Sequence, residues 1–215
     1  MTLTAELYFS FRSPYSYLSI GRYRAMTEDY DLDIALRPVW PLAVRQPDFF
    51  ERNHPNWLGY TMRDMLRVAQ FLEIPFGAPR PDPIVQDTAT RKIAADQPYI
   101  RRVTRMGQAA ARRGAGLIFA AEAGRMIWGG QENWHQNGHL AEALKATGVD
   151  PAEIEAEIES DADALDAEIA ANQNALEAAG HWGVPTLVFD GEPFFGQDRI
   201  EMVRWRMEQK GLAKR

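Results

Sequence analysis

The sequence predicts an α/β protein in which a sheet domain is interrupted by a large all-helical insertion. Three observations predict this fold class. Strand patterns lie near the two ends of the 215-residue chain, helix patterns follow them, and the stretch from Trp57 to about Gly180 is almost entirely helical in character. A chain of this length is large enough for one compact domain, or for one domain that carries an insertion.

The N-terminal segment is predicted to form a strand, a helix and a second strand. Residues 5–11 alternate and are rich in aromatic residues, which is typical of a half-buried strand. Ser13 is predicted to cap the next helix, because its hydroxyl can accept from a free backbone N–H, and Pro14 at the first helical position loses no hydrogen bond there. The helix continues to about Tyr30, and residues 31–39 alternate again as a strand.

The middle of the chain is predicted to be helical apart from two loops. An irregular loop is expected at 43–56 and a proline-rich loop at 79–87. The acidic stretch 153–168 is expected to be a helix face in contact with water. Helices are expected over 57–72, twice within 98–128 around a break near Gly114 and Gly116, from Pro151 after an Asp150 cap, and over 161–179 as one long acidic helix.

The C-terminal segment returns to strands. Residues 184–196 contain two short apolar runs joined by Asp190-Gly191, which predicts a β-hairpin. Asp198 is then expected to cap a closing helix.

The predicted order is therefore β-α-β, a helical block, and β-β-α. This is the order of a thioredoxin-like sheet with a helical domain inserted in its middle. We expect a discontinuous thioredoxin-like domain at 1–42 and 181–215, and an inserted helical domain at 43–180.

Composition excludes several classes of function. The formal net charge of −6 argues against a nucleic-acid-binding protein, which usually has a basic face. No apolar run is long enough to span a membrane, and the N-terminus lacks a secretory leader, so we expect a soluble cytoplasmic protein. The chain has no cysteine, which removes disulfides, thiolate metal ligands and a cysteine nucleophile. His135 and His139 are better interpreted as surface residues than as metal ligands, so no metal site is expected.

Two segments stand out as candidates for chemistry. Ser13 at the strand–helix joint is either a helix cap alone or, in addition, a hydroxyl beside free N–H groups and a helix dipole that would stabilise an anion such as a thiolate. Arg12 would add positive charge there if it points inward. Val184-Pro185 precedes a strand, and a cis bond would leave the Val184 carbonyl and N–H facing a ligand, although an isolated X-Pro bond is usually trans. His181 lies close by in sequence and could assist acid–base chemistry, as could His54, but an ordinary loop histidine is the simpler interpretation of both.

Three motifs carry a resemblance to a known family. The stretches "YFSFRSPYSYL", "GVPT" and "FFGQDRI" resemble the DsbA-like thioredoxin family, in the branch that contains 2-hydroxychromene-2-carboxylate isomerase and the kappa-class glutathione transferases. The similarity extends over nearly the whole chain, and the end motifs in their order and spacing carry it. The sequence departs from the family pattern at Ser10, where aspartate is common, and at Arg12, where leucine is common.

The resemblance implies a glutathione-dependent isomerase of the 2-hydroxychromene-2-carboxylate type, in which a thiolate adds reversibly to a conjugated aromatic carboxylate. Ser13 would be the catalytic residue, acting as a hydrogen-bond donor to the glutathione thiolate rather than as a nucleophile. The remaining site residues implied are Val184, Pro185, Phe195, Gln197 and Asp198 for glutathione, and Arg45 and Asn53 for the second substrate. The partners implied are this small-molecule substrate and a second copy of the chain in a homodimer. A kappa-like glutathione transferase or peroxidase, and a cysteine-free peptide-binding protein without catalysis, remain the alternatives.

Overall fold

The computed structural model describes residues 2–87, 90, 92–136 and 138–215. Within this part of the chain, no helix combines the length and the apolar character needed to cross a membrane. The strands are β1 (Leu3–Phe9), β2 (Leu32–Pro38), β3 (Thr186–Phe189) and β4 (Glu192–Phe195). The helices are α1 (Pro14–Asp29), α2 (Leu42–Arg45), α3 (Phe49–Arg52), α4 (Asn56–Phe71), α5 (Pro98–Arg112), α6 (Gly116–Trp128), α7 (His139–Lys145), α8 (Pro151–Ser160), α9 (Ala162–Ala178) and α10 (Ile200–Glu208).

The sheet confirms the predicted thioredoxin-like arrangement. Its strand order is β2-β1-β3-β4, with β1 and β2 parallel and the other neighbours antiparallel. The crossover from β1 to β2 is helix α1, as parallel neighbours require. β3 and β4 form the expected hairpin, and both turn residues, Asp190 and Gly191, have positive φ angles of 52° and 77°.

The first strand ends earlier than its sequence pattern predicts. Strand β1 stops at Phe9, and the residues up to Arg12 form a turn instead of continuing the strand. The cause is tertiary: the Phe11 ring turns inward against the insertion, and the Phe11 carbonyl accepts a hydrogen bond from the Trp128 indole at 3.0 Å. The alternating aromatic pattern therefore extends beyond the strand itself.

The insertion between β2 and β3 contains more helix than expected. The predicted irregular loop at 43–56 holds two one-turn helices, α2 and α3, and the first residue of α4. Helix α7 lies in the stretch predicted to be mostly helical but was not predicted individually; it begins after Gly138, whose φ of 75° is left-handed. These helices span seven residues or fewer, which is too short for a 3.6-residue repeat to show in a sequence. The predicted break between α5 and α6 is confirmed, with Gly114 at a φ of 70°.

One continuous core joins the sheet to the insertion. The Phe11 ring meets the Phe9 ring at 5.1 Å and the Phe119 ring of α6 at 5.8 Å, both edge to face. Gly107 of α5 lies so close to Phe11 that a Cβ there would be 2.6 Å from the ring. Buried residues of both parts belong to the same cluster, so the two predicted domains pack as one body of apolar contacts.

The acidic helices are not a simple solvated face, contrary to the expectation for 153–168. Arginines of α5 bind their carboxylates: Arg105 donates twice to Asp166, at 2.7 and 2.8 Å, and Arg112 donates to Glu168 at 2.6 Å. Glu157 pairs with both Arg112 and Arg113, and only 13% of its side chain is exposed. The charges of α8 and α9 therefore balance those of α5 across a packed interface.

Candidate active site

Ser13 ends the turn after β1 and caps helix α1. Its backbone is extended, and its hydroxyl oxygen accepts from the Ser16 N–H at 3.2 Å, which confirms the predicted cap. Pro14 occupies the first helical position, and the Ser13 N–H donates to the Ser10 carbonyl at 3.0 Å. The serine is therefore fixed by backbone contacts on both sides.

The insertion holds this turn in place. Phe11 is wedged between the first strand and α6, and the Trp128 side chain of α6 anchors its carbonyl. Tyr15, two residues after Ser13, donates its phenol to Asp64 of α4 at 2.6 Å. Burial and the Asp64 carboxylate both raise the pKa of Tyr15, so the phenol stays protonated and the link between α1 and α4 persists at neutral pH.

The Val184-Pro185 turn lies against Ser13. Its peptide bond is cis, where an isolated X-Pro bond would usually be trans. The Ser13 hydroxyl donates to the Val184 carbonyl at 3.4 Å, and the Pro185 carbonyl accepts from the Gly196 N–H at 2.9 Å. Two segments 171 residues apart in the chain thus meet at the serine.

Hydrogen-bond donors remain unused where these segments meet. Within the described part of the chain, the N–H groups of Tyr15 and Val184 have no hydrogen-bond acceptor. The Ser13 hydroxyl makes only a long bond, near the limit of hydrogen-bond distance. Because these donors lie at the positive end of a 16-residue helix, the arrangement suits an anion next to an extended peptide backbone.

Arg12 does not supply the free positive charge that its sequence position suggested. Its guanidinium donates to both carboxylate oxygens of Asp82, Nε at 3.2 Å and Nη2 at 2.9 Å. Asp82 belongs to the proline-rich loop, 70 residues away in the chain. The charge of Arg12 is therefore already paired with that of Asp82 and does not add to the positive charge at Ser13.

Gln197 and Asp198 follow β4 at the other side of the turn. Arg22 of α1 donates to the Gln197 side-chain oxygen at 2.7 Å and also to its backbone carbonyl. Asp198 does not cap the last helix as expected: the residue before α10 is Arg199, and no side chain caps that helix. The Asp198 carboxylate instead accepts from Arg199 at 2.5 Å, because the chain turns once more at Gly196, whose φ is 108°.

Arg45 and Asn53 contact backbone rather than open space. Arg45 donates to the Trp40 carbonyl at 2.8 Å and to the Trp182 carbonyl at 3.0 Å, so it ties α2 to the turn before Val184. Burial lowers the pKa of Arg45. Asn53, the residue after α3, donates to the carbonyl of Phe49 at the start of that helix at 2.6 Å. In the part of the chain that the structure describes, neither side chain forms a hydrogen bond with Ser13.

A row of aromatic rings borders the turn and was not foreseen as a unit. The Phe49 ring of α3 contacts the rings of Trp57 and Trp182 at 5.7 and 5.9 Å. His181 stacks on Trp182 at 5.6 Å and on Phe195 at 4.1 Å. Trp182 and Phe195 are 46% and 45% exposed, so this row offers an open apolar wall next to the unused donors.

The histidine pair of the insertion is a packing feature. The His135 ring lies 4.5 Å from the Tyr99 ring and 5.8 Å from the Trp134 ring, and the His139 ring approaches Gln131. In the residues for which the structure gives a placement, no group of three or more metal-binding side chains occurs.

Comparisons with known proteins bear on the whole chain. The model of the DSBA-like thioredoxin domain family matches residues 4–208. Curated proteins give no match. Among solved structures, a 2-hydroxychromene-2-carboxylate isomerase is similar at 22% identity and a TM-score of 0.69, over 96% of this chain and 95% of that one.

Two oxidoreductase structures are similar as well. One is a probable DsbA oxidoreductase from Streptomyces coelicolor, at 14% identity and a TM-score of 0.67, over 96% of this chain and 89% of that one. The other is the cytosolic disulfide reductase DsbM from Pseudomonas aeruginosa with GSH, at 18% identity and a TM-score of 0.62, over 97% of this chain and 98% of that one. At these identities the likeness is one of fold.

Proposed function

The chain belongs to the DSBA-like thioredoxin domain family, and on that premise we propose that it is a glutathione-dependent isomerase of the 2-hydroxychromene-2-carboxylate type. The observation that carries the proposal is the meeting of the Ser13 hydroxyl with the Val184 carbonyl, beside an unused Val184 N–H, in a chain without cysteine. The similarity of the fold to an isomerase of that name supports the reaction class.

The residues present suit glutathione. Among the described residues the Val184 N–H has no acceptor, while the other backbone groups of residues 183–185 are bonded, and a free N–H of this kind can bind an antiparallel peptide strand. Phe195 flanks that edge, and Gln197 and Asp198 follow it, where a carboxylate would suit the ammonium of a γ-glutamyl group. Similarity to a disulfide reductase solved with GSH supports the same ligand.

The chain's own residues would bind and orient the glutathione peptide and stabilise the negative charge on its sulfur. When bound, glutathione supplies a thiolate that adds reversibly to a conjugated double bond, so that a single bond can rotate before elimination. Val184 and Pro185 would align the peptide, and Ser13 would donate its hydroxyl to the sulfur, assisted by the Tyr15 N–H and the dipole of α1. Ser13 is then a preorganised donor, because its cap bond with Ser16 and the anchored Phe11 fix its position.

The second substrate would lie on the side of the insertion. The aromatic row of Phe49, Trp57 and Trp182 is an open apolar wall suited to a planar conjugated ring. Arg45 and Asn53 are proposed for this substrate, with Arg45 acting through the backbone of Trp182 that it fixes. We further propose a cytoplasmic location and a homodimer.

Calorimetric titration in two buffers of different ionisation enthalpy tests the proposal. Glutathione should bind and release a proton near neutral pH, because its thiol ionises in the site. S-methylglutathione should bind without proton release, since it presents the same peptide and no thiol. Glutathione that binds without proton release would contradict a thiolate-stabilising enzyme, and absence of binding would contradict any glutathione-dependent function. An absorbance assay on 2-hydroxychromene-2-carboxylate, with and without glutathione, then tests the isomerisation itself.

Two other functions share part of this site. A kappa-like transferase or peroxidase would use the same thiolate on a different electrophile, and oxidoreductase chemistry would have to borrow its thiol because the chain has none. A peptide-binding protein without catalysis is favoured by the exposed Trp182 and Phe195 beside the free Val184 N–H. The proton release separates the thiolate enzymes from the peptide-binding protein.

A further inference from the structure

The turn that presents the Val184 amide is organised by a histidine. The Gly183 N–H donates to His181 Nδ1 at 2.9 Å, and the Gly183 carbonyl accepts from the Thr186 hydroxyl at 2.7 Å. With the Pro185 carbonyl bonded to Gly196, the Val184 N–H is the backbone donor of residues 183–185 that has no acceptor among the described residues. The Val184 N–H shares its peptide plane with the Gly183 carbonyl that Thr186 holds, and His181 holds the preceding peptide plane, so the orientation of that N–H depends on both bonds.

Packing fixes the imidazole in the geometry that this bond needs. Its ring stacks on Phe195 at 4.1 Å with an interplanar angle of 20°, and on Trp182 at 5.6 Å with an angle of 13°. Gly183 has no room for a side chain, since a Cβ there would be 2.7 Å from the Phe195 ring and 3.1 Å from His181. The backbone N–H of His181 donates to the Leu176 carbonyl at 3.2 Å, and this bond connects the turn to α9.

The hydrogen bond defines the protonation state of His181. An Nδ1 that accepts from an N–H carries no proton, so the ring is the neutral tautomer with its proton on Nε2. Burial lowers the pKa of His181 below its usual value, which favours the same state. Protonation would place an N–H at Nδ1, facing the N–H of Gly183, and two donors cannot bond to each other.

We propose that His181 is a positioning residue that holds the Val184 amide ready for a peptide ligand while it is neutral and releases it when it is protonated. This rests on the proposed function only in naming glutathione as the peptide. The charged groups brought to this turn are Arg45, from α2, and Glu177, at the end of α9, whose charge acts on Arg45. The other faces of the ring meet Trp182 and Phe195. Of the groups at this turn, His181 is the one whose side chain ordinarily changes charge near neutral pH, and burial lowers its pKa from there.

The experiment measures binding of S-methylglutathione from about pH 7.5 to about pH 4.5, because this probe has no thiol to titrate and the pKa of His181 lies below its usual value. Loss of one hydrogen bond is worth about a fivefold change in affinity. The dissociation constant of the wild type should therefore rise about fivefold on acidification, while that of His181→Asn, which keeps an acceptor and does not titrate, should stay flat. His181→Phe should bind about fivefold more weakly at every pH. His54→Asn is the matched control, since His54 accepts from the Asn56 N–H two residues on, in an exposed loop.

Identical pH profiles for the wild type and His181→Asn would overturn the proposal while leaving glutathione binding intact. If the probe binds at no pH, the proposed function fails instead. Nitrogen NMR of the wild-type ring then decides the role of His181: we expect the Nε2–H tautomer, titrating together with the Val184 amide shift. An Nδ1–H tautomer would overturn the proposal, and so would a Val184 amide chemical shift that does not change as His181 titrates. Both outcomes can be observed in the wild type, so the test does not depend on whether the variants fold.

Discussion

Replacing Ser13 with alanine tests the central chemistry most directly. The Ser13 hydroxyl now donates to the Val184 carbonyl at 3.4 Å, which is a long and weak hydrogen bond. Little free energy is therefore lost when the hydroxyl donates to a sulfur instead. A hydrogen bond to a charged group is worth about 1.5–3 kcal/mol, which equals about 1–2 pKa units on a bound thiol. Ser13→Ala should raise the pKa of the bound glutathione thiol by that amount.

The pH dependence follows from this shift. If the site holds the thiol near a pKa of about 7, the variant should be about five- to fiftyfold slower at neutral pH. The deficit should shrink as the pH rises above the raised pKa, because the thiol is then ionised in both proteins. The measurements are the thiolate absorbance of the bound peptide and kcat/KM against pH. A deficit that is constant with pH, or an unchanged thiol pKa, would refute the role given to Ser13.

The same change removes a helix cap, so its structural effect needs a control. Ser13 accepts from the Ser16 N–H, and losing such a cap costs about 1 kcal/mol of unfolding free energy. Asp150 makes the corresponding bond to the Ala152 N–H in α8 at 2.9 Å. Asp150→Ala should therefore lower stability in urea by a similar amount and leave the thiol pKa unchanged.

Further substitutions probe the surroundings of the site. Gly21→Ala should stabilise the protein by about 0.5–1 kcal/mol in urea unfolding, because Gly21 is in the interior of α1 and a Cβ there has no neighbour within 4 Å. Gly183→Ala should instead destabilise it by about 1–3 kcal/mol and weaken glutathione binding in calorimetry, since the new methyl would overlap the Phe195 ring; unchanged binding would argue against the close packing of the turn. Tyr15→Phe should cost about 1–3 kcal/mol, as it leaves Asp64 without its 2.6 Å partner, and a double cycle with Asp64→Ala should show that the two effects are not additive.

Local patterns predicted much of the fold. The Ser13-Pro14 helix start and the Asp190-Gly191 turn are determined by neighbours in the sequence, and both appear as predicted. Strand alternation located β1 and β2 but placed the end of β1 too late. The long helices also appear within a few residues of their expected bounds. The strand–helix joint could be placed for the same reason, because a cap depends on residues one to three positions away.

The features that were missed depend on residues far apart in the chain. The alternating pattern could not show that Phe11 leaves the strand to meet Phe119, or that Arg12 pairs with Asp82. The acidic helices look solvated when taken alone, and only the arginines of α5 show otherwise. The bond between His181 and Gly183 is local, yet a histidine two residues from a glycine is no signal without the stacking rings that fix it.

The shared apolar cluster has a consequence for how such a protein can be modified. A recombinant chain in which the two sheet segments were simply spliced together would expose Phe11, which Phe119 and α5 now cover, at a cost of about 1.5–3 kcal/mol. The turn before Ser13 would also lose the hydrogen bond from the Trp128 indole to the Phe11 carbonyl. The helical insertion therefore cannot simply be exchanged for that of a distant homologue, because the sheet face buried against it would have to be redesigned at the same time.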